Sequence, residues 1–191
     1  MDPKYEILRE PLFTVKEELQ KNNIDAAYLA VKKTNNGHFP DPYKSGLLTD
    51  FFWSKGIDAF QYLKDDTLPF GMYTNGVKLS PIFCKNGNLA FEYTPVRSLA
   101  GFNFEGQPDI KIANLSSIRT IKEYPFQNCE NLKTVIINAD VLKNCPTTIG
   151  DWAWNCESWT KLLIKGDKNN AVRYLILLAE QAAAHIDVEW I

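Results

Sequence analysis

Ile121-Lys-Glu-Tyr124-Pro-Phe126-Gln-Asn128-Cys129-Glu-Asn-Leu132-Lys-Thr-Val135-Ile136-Ile137 has a second copy further along the chain: Ile149-Gly-Asp-Trp152-Ala-Trp154-Asn155-Cys156-Glu-Ser-Trp159-Thr-Lys-Leu162-Leu163-Ile164. Each copy has an aliphatic start, aromatics three and five positions on, then Asn-Cys. A large apolar residue follows three positions after the Cys, and an aliphatic run ends the copy. The second copy is one residue shorter between its second aromatic and Asn-Cys. Self-similarity of this kind marks a repeat architecture.

The physics of one unit is clearest at its end. Leu132-x-x-Val135-x-Ile137 predicts a short strand that sends Val135 and Ile137 to one side, and Thr134 and Ile136 to the other. The middle carries Pro125 and is too short for a stable helix, so a single helical or 3₁₀ turn is expected there. A unit of this size cannot bury its own apolar face, whereas stacked copies can, strand beside strand and Cys129 beside Cys156. A weaker third copy precedes them: Leu99-Ala-Gly-Phe102-Asn-Phe104-Glu-Gly106, with Ile110 and Ile112 expected as its strand.

These motifs resemble the BspA-like class of leucine-rich repeat, whose units run roughly as aliphatic-Gly-Asp-aromatic-Ala-Phe-x-Asn-Cys-x-x-Leu followed by a strand. Gly150, Asp151 and Ala153 match in the second copy, and the first keeps the full spacing. Pro125 departs from the family pattern, as does the segment added between Asn138 and Cys145. The resemblance covers about residues 96–165. It implies an α/β (α+β) fold: a short leucine-rich-repeat-like parallel β-solenoid of about three repeats, capped at both ends. It also implies binding to proteins or surface polymers, because BspA-like repeats occur in microbial and viral adhesion and surface proteins.

The 191 residues are 45% hydrophobic, which places the chain among ordinary globular proteins. A net charge of −2 gives no electrostatic reason to expect nucleic acid or an anionic membrane surface. The longest apolar run near the C-terminus, Leu175 to Ala179, is far short of a bilayer span, so no membrane span is expected. The charged N-terminus has no apolar core of a signal peptide, which favours a cytoplasmic or virion-associated location over secretion. Four cysteines without a C-x-x-C pair, and two histidines remote from them, point to buried free thiols rather than a disulfide framework or a zinc site. No nucleophile–base arrangement and no phosphate-binding glycine motif occurs. A non-enzymatic protein with no cofactor and no metal is therefore expected.

Around the repeats, residues 1–78 read as mostly helical. Thr14 and Glu17 form a capping box, and Asp25 caps a second helix. A loop follows from Thr34 to Gly46, and an aromatic helix runs from Leu48 to Leu63 with Ser45 as its cap and Gly56 as a weak point. Residues 79–95 form a β-hairpin cap around Asn86-Gly87. The repeats occupy 96–166. Residues 167–191 form a C-terminal capping helix apolar on two sides, with Val188 to Ile191 as a short edge strand.

The leading expectation for function is a protein–protein interaction or adhesion-type scaffold. The alternative is a structural subunit of a larger assembly, such as a bacteriophage virion component, in a homo- or hetero-oligomer. The candidate partner-binding residues are Thr134 and Ile136 in one copy with Lys161 and Leu163 in the next, since their side chains leave the strands away from the core. Grouped exposed apolar side chains usually mark an interface.

Overall fold

The computed structural model describes residues 18, 21, 42–63, 65–144, 152, 155–167 and 186–191. The helices expected before residue 42, the C-terminal helix after Asp167, Trp154 and Cys145 lie outside the described residues.

Helix α1 spans Pro42–Ser54. It opens on a proline, whose missing N–H and fixed φ suit a first turn, so the helix starts inside the stretch expected to be loop. It also ends earlier than the apolar spacing predicted. Gly56 takes φ 74°, the Gly56 N–H bonds the Trp53 carbonyl at 2.9 Å, and the Ile57 N–H reaches back to the Phe52 carbonyl at 3.0 Å. That pair of bonds closes the helix in a Schellman motif, which requires a left-handed residue at its turn. Asp58 then starts a 3₁₀ turn, Ala59–Tyr62, by accepting from the Phe60 N–H, and its other carboxylate oxygen accepts from the buried Ser80 hydroxyl. Phe51, Phe52, Ala59, Phe60 and Leu63 all enter the core.

Nine short strands form two sheets among the described residues. The smaller is parallel, in the order β1 (Thr67–Leu68), β4 (Ser98–Leu99), β6 (Thr120–Ile121). The larger has the order β2 (Cys84–Lys85), β3 (Asn88–Ala90), β5 (Ile112–Leu115), β7 (Thr134–Asn138), β8 (Lys161–Lys165), β9 (Asp187–Trp190). Its first pair is antiparallel and the rest are parallel.

This arrangement corrects the expected fold class. The chain is a mixed α/β protein with a three-stranded parallel sheet and a six-stranded mixed sheet, not a leucine-rich-repeat-like parallel β-solenoid of about three repeats. Two physical causes separate expectation from structure. Asn86 and Gly87 both take positive φ (52° and 82°) and reverse the chain between β2 and β3, and β3 then pairs in parallel with β5, so the hairpin supplies the first two strands of the larger sheet. A Cβ on Gly87 would lie 2.7 Å from the Asp109 carbonyl oxygen, which reserves that turn position for glycine. The aliphatic starts Leu99 and Ile121, to which the sequence pattern assigns no strand, form the second sheet, Leu99 pairing with Leu68 on one side and Ile121 on the other.

Between the sheets, successive segments lie side by side in a common register. The N–H groups of Tyr73, Phe104 and Phe126 bond the carbonyls of Asn103 (2.9 Å), Pro125 (2.8 Å) and Trp152 (2.8 Å). The aromatic rings follow the same order, Phe104 stacking on Tyr73 at 6.1 Å and on Phe126 at 5.4 Å between centroids. One position recurs in the left-handed region as Asn75, Gly106, Asn128 and Asn155. Asparagine and glycine tolerate it. A second left-handed position falls on Gly71, Phe102 and Tyr124. Two bulky aromatics there carry strain of about 1–3 kcal/mol each, offset in part by packing of Phe102 between Phe70 and Tyr124, both at 5.3 Å.

The turn carbonyls deep between the sheets are met by side chains. The Gln107 amide donates to the carbonyls of Tyr73 and Val77, both at 2.7 Å. Cys129 Sγ donates to the Phe104 carbonyl at 3.0 Å, and Cys156 Sγ to that of Phe126 at 2.8 Å. Gln107 thus takes in the third copy the place that cysteine takes in the other two. The strand of that copy is also shifted from expectation. Ile112 faces outward at 37% exposure, and the core side is Ala113 and Leu115, preceded by Ile110. Ile110-x-x-Ala113-x-Leu115 repeats the spacing of Leu132-x-x-Val135-x-Ile137 with a smaller residue in the middle.

Phe126 is fully buried against Phe104. Phe126→Ala is expected to cost about 3–5 kcal/mol, the range for deleting a buried aromatic, measured by chemical denaturation. A loss under about 1 kcal/mol would show that the stack does not hold the two sheets together.

Candidate interaction surface

The parallel register of the larger sheet carries each outward position onto its neighbour. One row runs Asn88, Ile112, Thr134, Lys161, Asp187, and the next runs Ala90, Asn114, Ile136, Leu163, Glu189. All four side chains expected on this face are there. Thr134 pairs with Lys161 and Ile136 with Leu163 in the β7–β8 register, and each of the four is half-buried. Ile112 and Asn114 extend the face on one side and were not among the expected residues. Ile110 and Ile112 are expected together as the strand of the third copy, and the structure puts Ile110 in the core and Ile112 on the outer face. The spacing from Ile110 to Ala113, equal to that from Leu132 to Val135, is the signal that turns Ile112 outward.

On the other side, Lys161 Nζ lies 2.7 Å from Glu189 Oε1 across β8 and β9. The hydrogen bond to Glu189 raises the Lys161 pKa, with the charges of Glu189 and Asp187 adding to it. The ammonium is solvent-exposed, so the pair orients Lys161 more than it stabilises the fold. The face therefore has an apolar strip, Ile112, Ile136 and Leu163, bordered by hydroxyl, amide and paired charges.

The thiols serve structure. Cys129 and Cys156 are free and buried, and the Cys129 N–H bonds Cys156 Sγ at 3.2 Å, so the two occupy adjacent segments as the repeat register requires. Burial pushes the Cys129 thiol well above its ordinary value of 9.0. Among the described residues, no group of three or more His, Cys, Asp or Glu side chains is placed to hold a metal. No helix among them is long and apolar enough to cross a membrane. Compared with protein-family models, curated proteins and solved structures, the chain matches none.

The raised Cys129 value has a sign that can be measured. The folded state holds this proton more tightly than the unfolded state, so its contribution is complete below the unfolded thiol range and is lost as pH rises above it. Stability followed by denaturant titration is expected to hold up to about pH 8.5 and to fall as pH climbs further. Cys129→Ala should flatten that alkaline slope, and an unchanged slope in the variant would contradict a buried neutral thiol.

Proposed function

We propose that this chain is a non-enzymatic interaction module that presents the outer face of its six-stranded sheet to a protein partner or a surface polymer. The observation that carries this reading is the juxtaposition of Ile136 and Leu163 across β7 and β8, with Ile112 beyond them, on a face that stays partly open to solvent. Aliphatic groups placed side by side form one contiguous apolar area that a single partner can cover, and each Å² so removed from water gains about 25 cal/mol. The likeness of the two clearest sequence copies to BspA-like repeats supports a partner of the adhesion class.

One observation favours a second reading, a structural subunit of a larger assembly such as a bacteriophage virion component. Among the described residues, no strand pairs with the outer edge of β9, and an open edge offers its N–H and C=O groups to a strand from a neighbouring chain.

Ile136→Asp combined with Leu163→Asp tests the first reading. The double variant is expected to lose capture of the protein or polymer that the wild type retains from an extract of the source organism, with little change in thermal midpoint. Undiminished capture would remove this face as the site, and a large loss of stability would place both residues in the core. A stable monomer in solution favours the module, and an obligate oligomer the assembly subunit.

A further inference from the structure

A groove of about 430 Å³ lies where the strands of the larger sheet give way to the smaller one, lined by Arg97, Ser116, Ser117, Ile118, Arg119, Asn138 and Asp140. It adjoins the sheet face proposed for a partner at Asn138, the end of β7, but uses none of that face's candidate residues and does not depend on that reading. Arg97 and Arg119 immediately precede β4 and β6. The register pairs Ser98 with Thr120, and the Arg119 N–H bonds the Arg97 carbonyl at 2.7 Å. The two arginines are therefore neighbours on adjacent strands, about 4.8 Å apart along the hydrogen-bonding direction. Like charges so placed destabilise a sheet. Among the described residues no carboxylate pairs with either. Arg97 Nη1 is used on the Thr94 and Val96 carbonyls, at 2.7 and 2.6 Å, which fixes its guanidinium. Arg119 is exposed.

The neutral groups of the groove are donors. Ser117 Oγ is buried and has no hydrogen-bond partner among the described residues. The Asn138 side-chain oxygen is taken by the Asp140 N–H at 2.9 Å, which leaves the amide N–H₂ as the part of Asn138 able to donate to a ligand. Ser116 is spent on Asn114, through both its N–H and its hydroxyl. The two nearby carboxylates are engaged as well: Asp140 with Lys143 at 2.7 Å, and Asp66, the residue before β1, with the Thr67 hydroxyl at 3.2 Å.

We propose that this groove binds a phosphate group, free or as a monoester, held by the guanidinium groups of Arg97 and Arg119 with the Ser117 hydroxyl and the Asn138 amide. A phosphate oxyanion offers acceptors on several sides at once, and arginine forks match them with charge-assisted bonds. It also relieves the repulsion between the two arginines and satisfies the buried hydroxyl.

Calorimetric titration of the full chain at constant ionic strength tests this, with inorganic phosphate and glucose 6-phosphate as separate probes and chloride as the background anion. Arg119→Gln is the variant to use, because the Arg119 side chain is exposed and makes no hydrogen bond or ion pair among the described residues, and Ser117→Ala is the second. Saturable binding by the wild type is expected, weakened about tenfold or more in Arg119→Gln and less in Ser117→Ala. Lys133→Gln, an exposed lysine outside the groove, should leave affinity unchanged. Tighter binding of the ester would assign the groove to a phosphorylated sugar and equal affinity to the free ion, and both support the site. No saturable binding by the wild type, equal affinity in Arg119→Gln, or an equal loss in Lys133→Gln would overturn it.

Discussion

Buried carbonyls set the terms of this structure. Each time the chain passes between the two sheets it turns within a few residues, and the turn leaves backbone oxygens facing the interior, where an unpaired acceptor costs about 1–3 kcal/mol. Gln107, Cys129 and Cys156 meet those oxygens from the neighbouring segment. The donor must be short or folded back, because the aromatic column of Tyr73, Phe104 and Phe126 fills the remaining space. Cysteine is short, apolar enough for the core and able to donate weakly. Gln107 reaches further and satisfies two carbonyls, but leaves its own buried oxygen without a partner among the described residues.

The side-chain ladder holds adjacent segments in one register, and the rest follows from register. Strands β3, β5, β7 and β8 align so that inward residues make one core and outward residues make continuous rows. At the other sheet, the same alignment brings Arg97 beside Arg119. The left-handed turn positions recur for the same reason, and at one of them every occupant is asparagine or glycine: Asn75, Gly106, Asn128 and Asn155. Phe102 and Tyr124 show that the register is strong enough to impose this backbone on bulky aromatics.

Much of the repeat was legible because its signals are chemical. Aromatic, Asn and Cys at fixed spacing have few alternative meanings, and Thr134, Ile136, Lys161 and Leu163 share a face as strand alternation requires. The segment from Leu68 to Asn75 was missed because Gly71 stands where its counterparts carry an aromatic, although the left-handed backbone is the same. The strand of the third copy, expected at Ile110 and Ile112, lies at Ile112–Leu115, because the core position between Ile110 and Leu115 is held by the small Ala113. Strands of two residues leave no periodicity to find, so the smaller sheet could be seen only once pairing was known. The groove between the sheets brings together Arg97, Arg119 and Asn138 from separate turns, a proximity that only the tertiary register creates.

Native-state hydrogen exchange of the Tyr73, Phe104 and Phe126 amides tests the shared register most directly. If the ladder locks the segments into one cooperative unit, the three amides exchange only through global unfolding and report one free energy equal to that from denaturation. Three distinct and smaller opening energies would show segments that open independently, and would contradict the account.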